Sequence, residues 1–80
     1  MKAPTSRRKA ETPSRLLGQR IRALRLAAGL SQEALAERAA IHTTYLSSLE
    51  RGHRNPTLNV IVAISSALRL RAADLLEAVD

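Results

Sequence analysis

No cysteine occurs among the 80 residues, so neither a disulfide nor a thiolate-bound metal can support the chain. Phenylalanine and tryptophan are absent as well, and Tyr45 is the one aromatic. A core must be assembled from Ala, Leu, Ile and Val, a composition that favours helices over strands. Apolar runs are short. None approaches the roughly 18 residues of a membrane span, and no apolar segment follows the basic N-terminus, which excludes a secretory signal. Repeats, strand-like alternation and hairpin signals are missing too. Acidic residues are scarce, 7 against 13 Lys and Arg. At this length a single small domain is expected, burying only about 60% of its unfolded surface.

Apolar residues nevertheless make up 45% of the chain, enough for a folded core. The net charge of +6 is segregated: residues 1–28 carry +7 and residues 29–80 carry −1. A solvated surface does not require such segregation, and it points toward a polyanion, with an anionic membrane the weaker candidate. Eleven of the thirteen bases are Arg, whose planar fork can hold a phosphate bidentately.

Residues 1–12 (MKAPTSRRKAET) show no apolar periodicity and hold the run Arg7-Arg8-Lys9, which predicts a flexible basic arm. Two readings stand side by side for it: contact with DNA backbone or minor groove, and a solubilising tail. The domain is expected over 13–80. Pro13 and Ser14 suit a helix entry, and Leu17, Ile21, Leu24 and Ala28 form an inward stripe closed by Gly29, with Arg15, Arg20, Arg22 and Arg25 on other faces. Gly18 inside this helix costs up to about 1 kcal/mol against Ala, so a close contact is expected there.

Ser31 to Gly52 is the organising stretch. Ser31 can cap a helix whose inward positions are Leu35, Ala36 and Ala39. Ile41 fills a tight turn, and Tyr45, Leu46 and Leu49 form the inward stripe of a second short helix ended by Gly52. Its outward positions are Thr43, Thr44, Ser47 and Ser48. The pattern predicts a helix-turn-helix presented to DNA. After the polar loop 53–57, with Thr57 as N-cap, a fourth helix is expected over about 58–68 (Leu58, Ile61, Ile64, Ala67, Leu68) and a fifth over about 72–79 (Leu75, Leu76, Val79). Val60, Val62, Leu76 and Val79 exceed what one core stripe needs and are assigned to a dimer interface.

Residues 16–76 resemble the lambda-repressor-like, Cro/Xre-type helix-turn-helix family. The resemblance runs through QRIRALR at 19–25, GLSQEALA at 29–36, YLSSLERG at 45–52 and RNPT at 54–57, then through Ile61, Ile64, Ala67, Leu68 and Leu75. Tyr45–Asn55 looks most like the small controller proteins of restriction–modification systems. The resemblance implies an all-α, compact five-helix domain. It also implies a phosphate contact at Gln32, base contacts from Thr43, Thr44, Ser47 and Ser48, and backbone contacts from Arg54 and Asn55. Arg51 flanks the same face and joins the DNA-binding set. Glu50 and Arg25 match a buried structural ion pair. Thr and Ser on the recognition face discriminate bases less than bidentate residues do, so part of the readout is assigned to Arg54, the arm and DNA deformability. His42, at the helix entry, is read as a poor cap rather than a DNA contact.

The expected function is a sequence-specific transcriptional regulator, a repressor-type protein that binds a palindromic operator on double-stranded DNA as a homodimer, in the cytoplasm. The alternative is an antitoxin or adaptor of the same fold acting mainly through protein contacts. The hydroxyl-rich face suits phosphate and base edges better than an apolar protein groove. His42 and His53 lack the partners of a catalytic or metal site, and Glu33 and Glu37 read as a solvated acidic face. No enzyme activity, cofactor, metal, membrane partner or small-molecule ligand is expected.

Overall fold

A computed structural model describes residues 12–79, in which five α-helices and a terminal 3-10 turn enclose one core. The predicted arm, apart from Thr12, lies outside the described residues. Helix α1 spans Pro13–Ala27, with Pro13 at its first turn, where the missing N–H costs nothing. Its cap is Thr12, immediately before the expected entry at Pro13, and the Thr12 hydroxyl accepts from the Arg15 N–H at 3.2 Å. The helix stops one residue short of Ala28, and Gly29 turns the chain at φ 73°. Helix α2 spans Gln32–Ala39, capped by Ser31 accepting from the Ala34 N–H at 3.0 Å. It ends on Ala40 in the left-handed conformation, φ 59°.

Helix α3 spans Thr43–Glu50, and Gly52 follows at φ 81°. Helix α4 spans Leu58–Ala67, with the Thr57 hydroxyl accepting from the Val60 N–H at 3.2 Å. Helix α5 is shorter than expected. It runs Ala72–Leu76 and tightens into a 3-10 turn over Glu77–Val79.

Helix α1 packs on α3, on α5 and on the 3-10 turn, while α2 packs on α3 and α4. Leu17, Ile21, Leu35, Ala36, Leu46, Leu49, Ile61, Ile64 and Leu75 are buried together at the centre. The expected inward stripes thus converge, with two exceptions: Ala28, just past the end of α1, is exposed, and Leu58, expected in the core, is 68% exposed. Leu58 stands at the first position of α4, one turn before Ile61 reaches the core. Val60 and Val79 are half-buried against the core, whereas Val62 and Leu76 stand 46% and 37% exposed.

Gly18 occupies the crossing of α1 and α3. A Cβ there would lie 2.7 Å from the Glu50 carbonyl oxygen, and the Leu49 carbonyl is closer still, so only glycine lets the two backbones meet. Arg20 ties α1 to the C-terminal elements: Nε donates to the Asp74 carbonyl at 3.0 Å, and Nη2 pairs with Glu77 at 3.4 Å.

Candidate nucleic-acid interface

The orientation of α2 against α3 is governed by a buried side-chain network. Periodicity alone sets Arg25 on a polar face of α1, but its side chain is only 8% exposed and turns under α3. Arg25 grips Glu50 bidentately, Nε to Oε2 at 2.7 Å and Nη2 to Oε1 at 3.0 Å. Its Nη1 donates to the Leu30 carbonyl at 2.9 Å, fastening the α1–α2 turn. Glu50 accepts a third bond, from Gln32 Nε2 at 3.0 Å. A carboxylate 2% exposed is tolerable because each oxygen has a donor and the charge is compensated. The hydrogen bonds that Arg25 donates to Glu50 hold its guanidinium above its ordinary range, against the opposing effect of burial. Its contribution to stability is therefore present through the neutral range and is lost only as pH rises beyond ordinary arginine titration.

Gln32 begins α2, where unpaired backbone N–H groups and the helix dipole favour an anion. Its amide uses one hydrogen on Glu50, and a second remains for an acceptor outside the protein. Glu50 thereby couples the expected phosphate donor to the end of α3.

On α3, Thr43, Thr44, Ser47 and Ser48 fall on one helical face. Thr44 is exposed and the other three are half-buried. None of the four belongs to the core. His42 precedes them in extended conformation and makes no side-chain cap, as its reading as a poor cap expects. Arg51 reaches back along the helix, Nη1 to Ser47 Oγ at 2.6 Å, joining two residues of the predicted set.

Arg54 sits with its guanidinium carbon 5.6 Å from the centroid of the Tyr45 ring, a cation–π contact. Helical spacing counts Tyr45 only as an inward residue. The signal was the one aromatic of the chain, half-buried at the edge of α3, within reach of a loop arginine. Asn55 is drawn elsewhere. Its Oδ1 accepts from the Ser14 hydroxyl of α1, and it borders an apolar groove that includes Leu17, Leu76 and Val79.

Among the described residues no group of His, Cys, Asp or Glu is placed to hold a metal ion. No described helix is long and apolar enough to cross a membrane.

Comparison with known proteins gives a consistent result. A profile of the helix-turn-helix family matches residues 21–75. The control protein C.BamHI of Bacillus amyloliquefaciens is 46% identical over 63 residues, covering 78% of this chain and 78% of that protein. The control protein C.SmaI of Serratia marcescens is 39% identical over 61 residues, 76% of this chain and 73% of that one. Among solved structures, the restriction-modification controller protein C.AhdI from Aeromonas hydrophila matches with a TM-score of 0.75 and 41% identity, covering 76% of this chain and 92% of that one.

Proposed function

This chain belongs to the Cro/Xre-type helix-turn-helix family of DNA-binding transcription regulators, and from that premise we propose that it binds a palindromic operator as a homodimer. In this reading α3 enters the major groove, with Thr43 and Thr44 nearest the base edges and Ser47 and Ser48 behind them. Gln32, Arg51, Arg54 and the free amide hydrogens of Asn55 take backbone phosphates. The carrying observation is the Gln32–Glu50–Arg25 network, which holds the start of α2 against the end of α3 before any DNA is present. That C.BamHI and C.SmaI are control proteins and C.AhdI a restriction-modification controller protein supports control of a restriction–modification system as the most specific form of this reading.

The second copy supplies the second half-site. Exposed Val62 and Leu76, together with half-buried Val60 and Val79, are the apolar residues assigned to that contact. Such a regulator acts in the cytoplasm and responds to its own concentration.

Selection of bound sites from a random duplex library tests the proposal. The expected product is an inverted repeat with half-sites about 34 Å apart, one helical turn. Recovery of unrelated sequences with no repeat would remove the dimeric, sequence-reading form. Sedimentation of the protein at micromolar concentration should show a dimer that Val62→Glu dissociates.

A further inference from the structure

The N-terminal half of α1 and the end of α3 border an open cleft of about 300 Å³ lined by Arg15, Gln19, Glu50, Arg51 and His53. Arg15, Gln19 and His53 have no role in the interface described above. The cleft is shaped by close backbone approach rather than by side-chain tips. Gly52, at φ 81°, seats against Arg15 so closely that a Cβ would lie 2.6 Å from Arg15 Cγ. Gly18, one turn along α1, meets the Glu50 carbonyl in the same way. The base of Arg15 is thus placed relative to Arg51 and His53 before any ligand arrives.

The lining is rich in donors: two guanidinium groups, an imidazole and a carboxamide. Its single acid is Glu50, whose carboxylate is 2% exposed and already bonded to Arg25 and Gln32. The negative charge in the wall is therefore compensated from within. The cleft also adjoins the recognition surface on two sides. Arg51 is bonded to Ser47 on α3, and Glu50 to Gln32 on α2.

We propose that this cleft seats a backbone phosphate of the bound duplex, with Arg15 as the principal donor and Gln19 and His53 completing the seat. The proposal rests on the DNA-binding reading and extends the contact surface from α2 and α3 onto α1. A guanidinium can hold a phosphodiester bidentately, and such contacts orient the protein on DNA without reading sequence.

The test compares Arg15→Gln, which keeps an aliphatic stem against Gly52, with wild type on an operator duplex and a random duplex across a salt series. Arg15→Gln should weaken both duplexes alike, by about tenfold at low salt. The slope of log affinity against log salt should become shallower by about 0.9 for each bound copy, the loss of one phosphate contact per protomer. Arg15→Lys should restore most of the slope, and Gln19→Ala and His53→Asn, which remove no permanent charge, should weaken both duplexes by smaller factors with the slope nearly kept. Should Arg15→Gln fail to fold, the equal affinity losses of those two variants on both duplexes test the seat.

Unchanged slope and affinity in the variants, with a salt-dependent wild type, overturn the seat and leave DNA binding standing. A wild type without salt-dependent duplex binding overturns both. Inorganic phosphate that shifts the His53 resonances while Arg15→Gln leaves duplex affinity unchanged makes the cleft a free-anion site and also overturns the proposal.

Discussion

Helices α2 and α3 are each eight residues long, yet they are stabilised by different means. Helix α2 has the local devices: a serine cap, Glu33 in its first turn and Arg38 in its last, which complement the helix dipole. Helix α3 has none of these. His42 does not cap it, no acid occupies its first turn and no base its last. What holds α3 is tertiary: Leu46 and Leu49 are at most 1% exposed, and Glu50 is locked by Arg25 and Gln32. The difference follows from the proposed role of the first turn of α3, whose Thr43 and Thr44 are the residues assigned to base edges. An acidic cap or first-turn carboxylate on α3 would set negative charge where the proposed function brings DNA. Stabilisation is accordingly moved to the far end of the helix, away from the recognition hydroxyls.

The sharpest way to break the comparison is Glu50→Ala. It strands a buried guanidinium and should cost about 3–5 kcal/mol in urea unfolding, while a loss below about 1 kcal/mol would mean that α3 is not held this way. Gly18→Ala comes next. The added methyl must push α1 off the carbonyls of α3, a net loss of about 1–3 kcal/mol despite the better helix propensity of Ala; unchanged stability would show that the crossing can relax. Ser31→Ala should destabilise α2 by about 1 kcal/mol, read as a lower urea midpoint at constant slope.

His42→Ser sharpens the contrast from the other side. Supplying the cap that α3 lacks should raise stability by about 0.5–1 kcal/mol, and no gain would mean that the helix start is constrained otherwise. Thr44→Ala should leave stability within about 0.5 kcal/mol, because its side chain is exposed. It should relax preference at one base position, whereas equal weakening on every duplex would make Thr44 a backbone contact.

Much of the fold was legible because its elements are locally marked. Ser31, Thr57, Gly29 and Gly52 stand where caps and turns need them, and the stripes 17–21–24, 35–36–39 and 61–64 share one core. The close contact expected at Gly18 is present for the same reason: a glycine inside a helix has a cost that packing must answer. Legibility fails where a contact joins residues distant in sequence. Periodicity sets Arg25 on a polar face, and only the family pattern marks it as the partner of Glu50, 25 residues away. Ser14 with Asn55, and Arg54 over Tyr45, are meetings of a loop with a helix that no local pattern encodes. Leu58 misleads in the opposite sense, since helical spacing counts it inward although the chain has not yet reached the core there.

Thr43, Thr44, Ser47 and Ser48 lie outside the core, and among the described residues the cap hydrogen bonds come from Thr12, Ser31, Thr57 and Asp74 instead. Descendants of this chain can therefore exchange those side chains one at a time without passing through an unfolded intermediate. Under the proposed function, drift of the target sequence is then limited by the pace at which the operator changes in step. The scaffold that carries the face need not change at all.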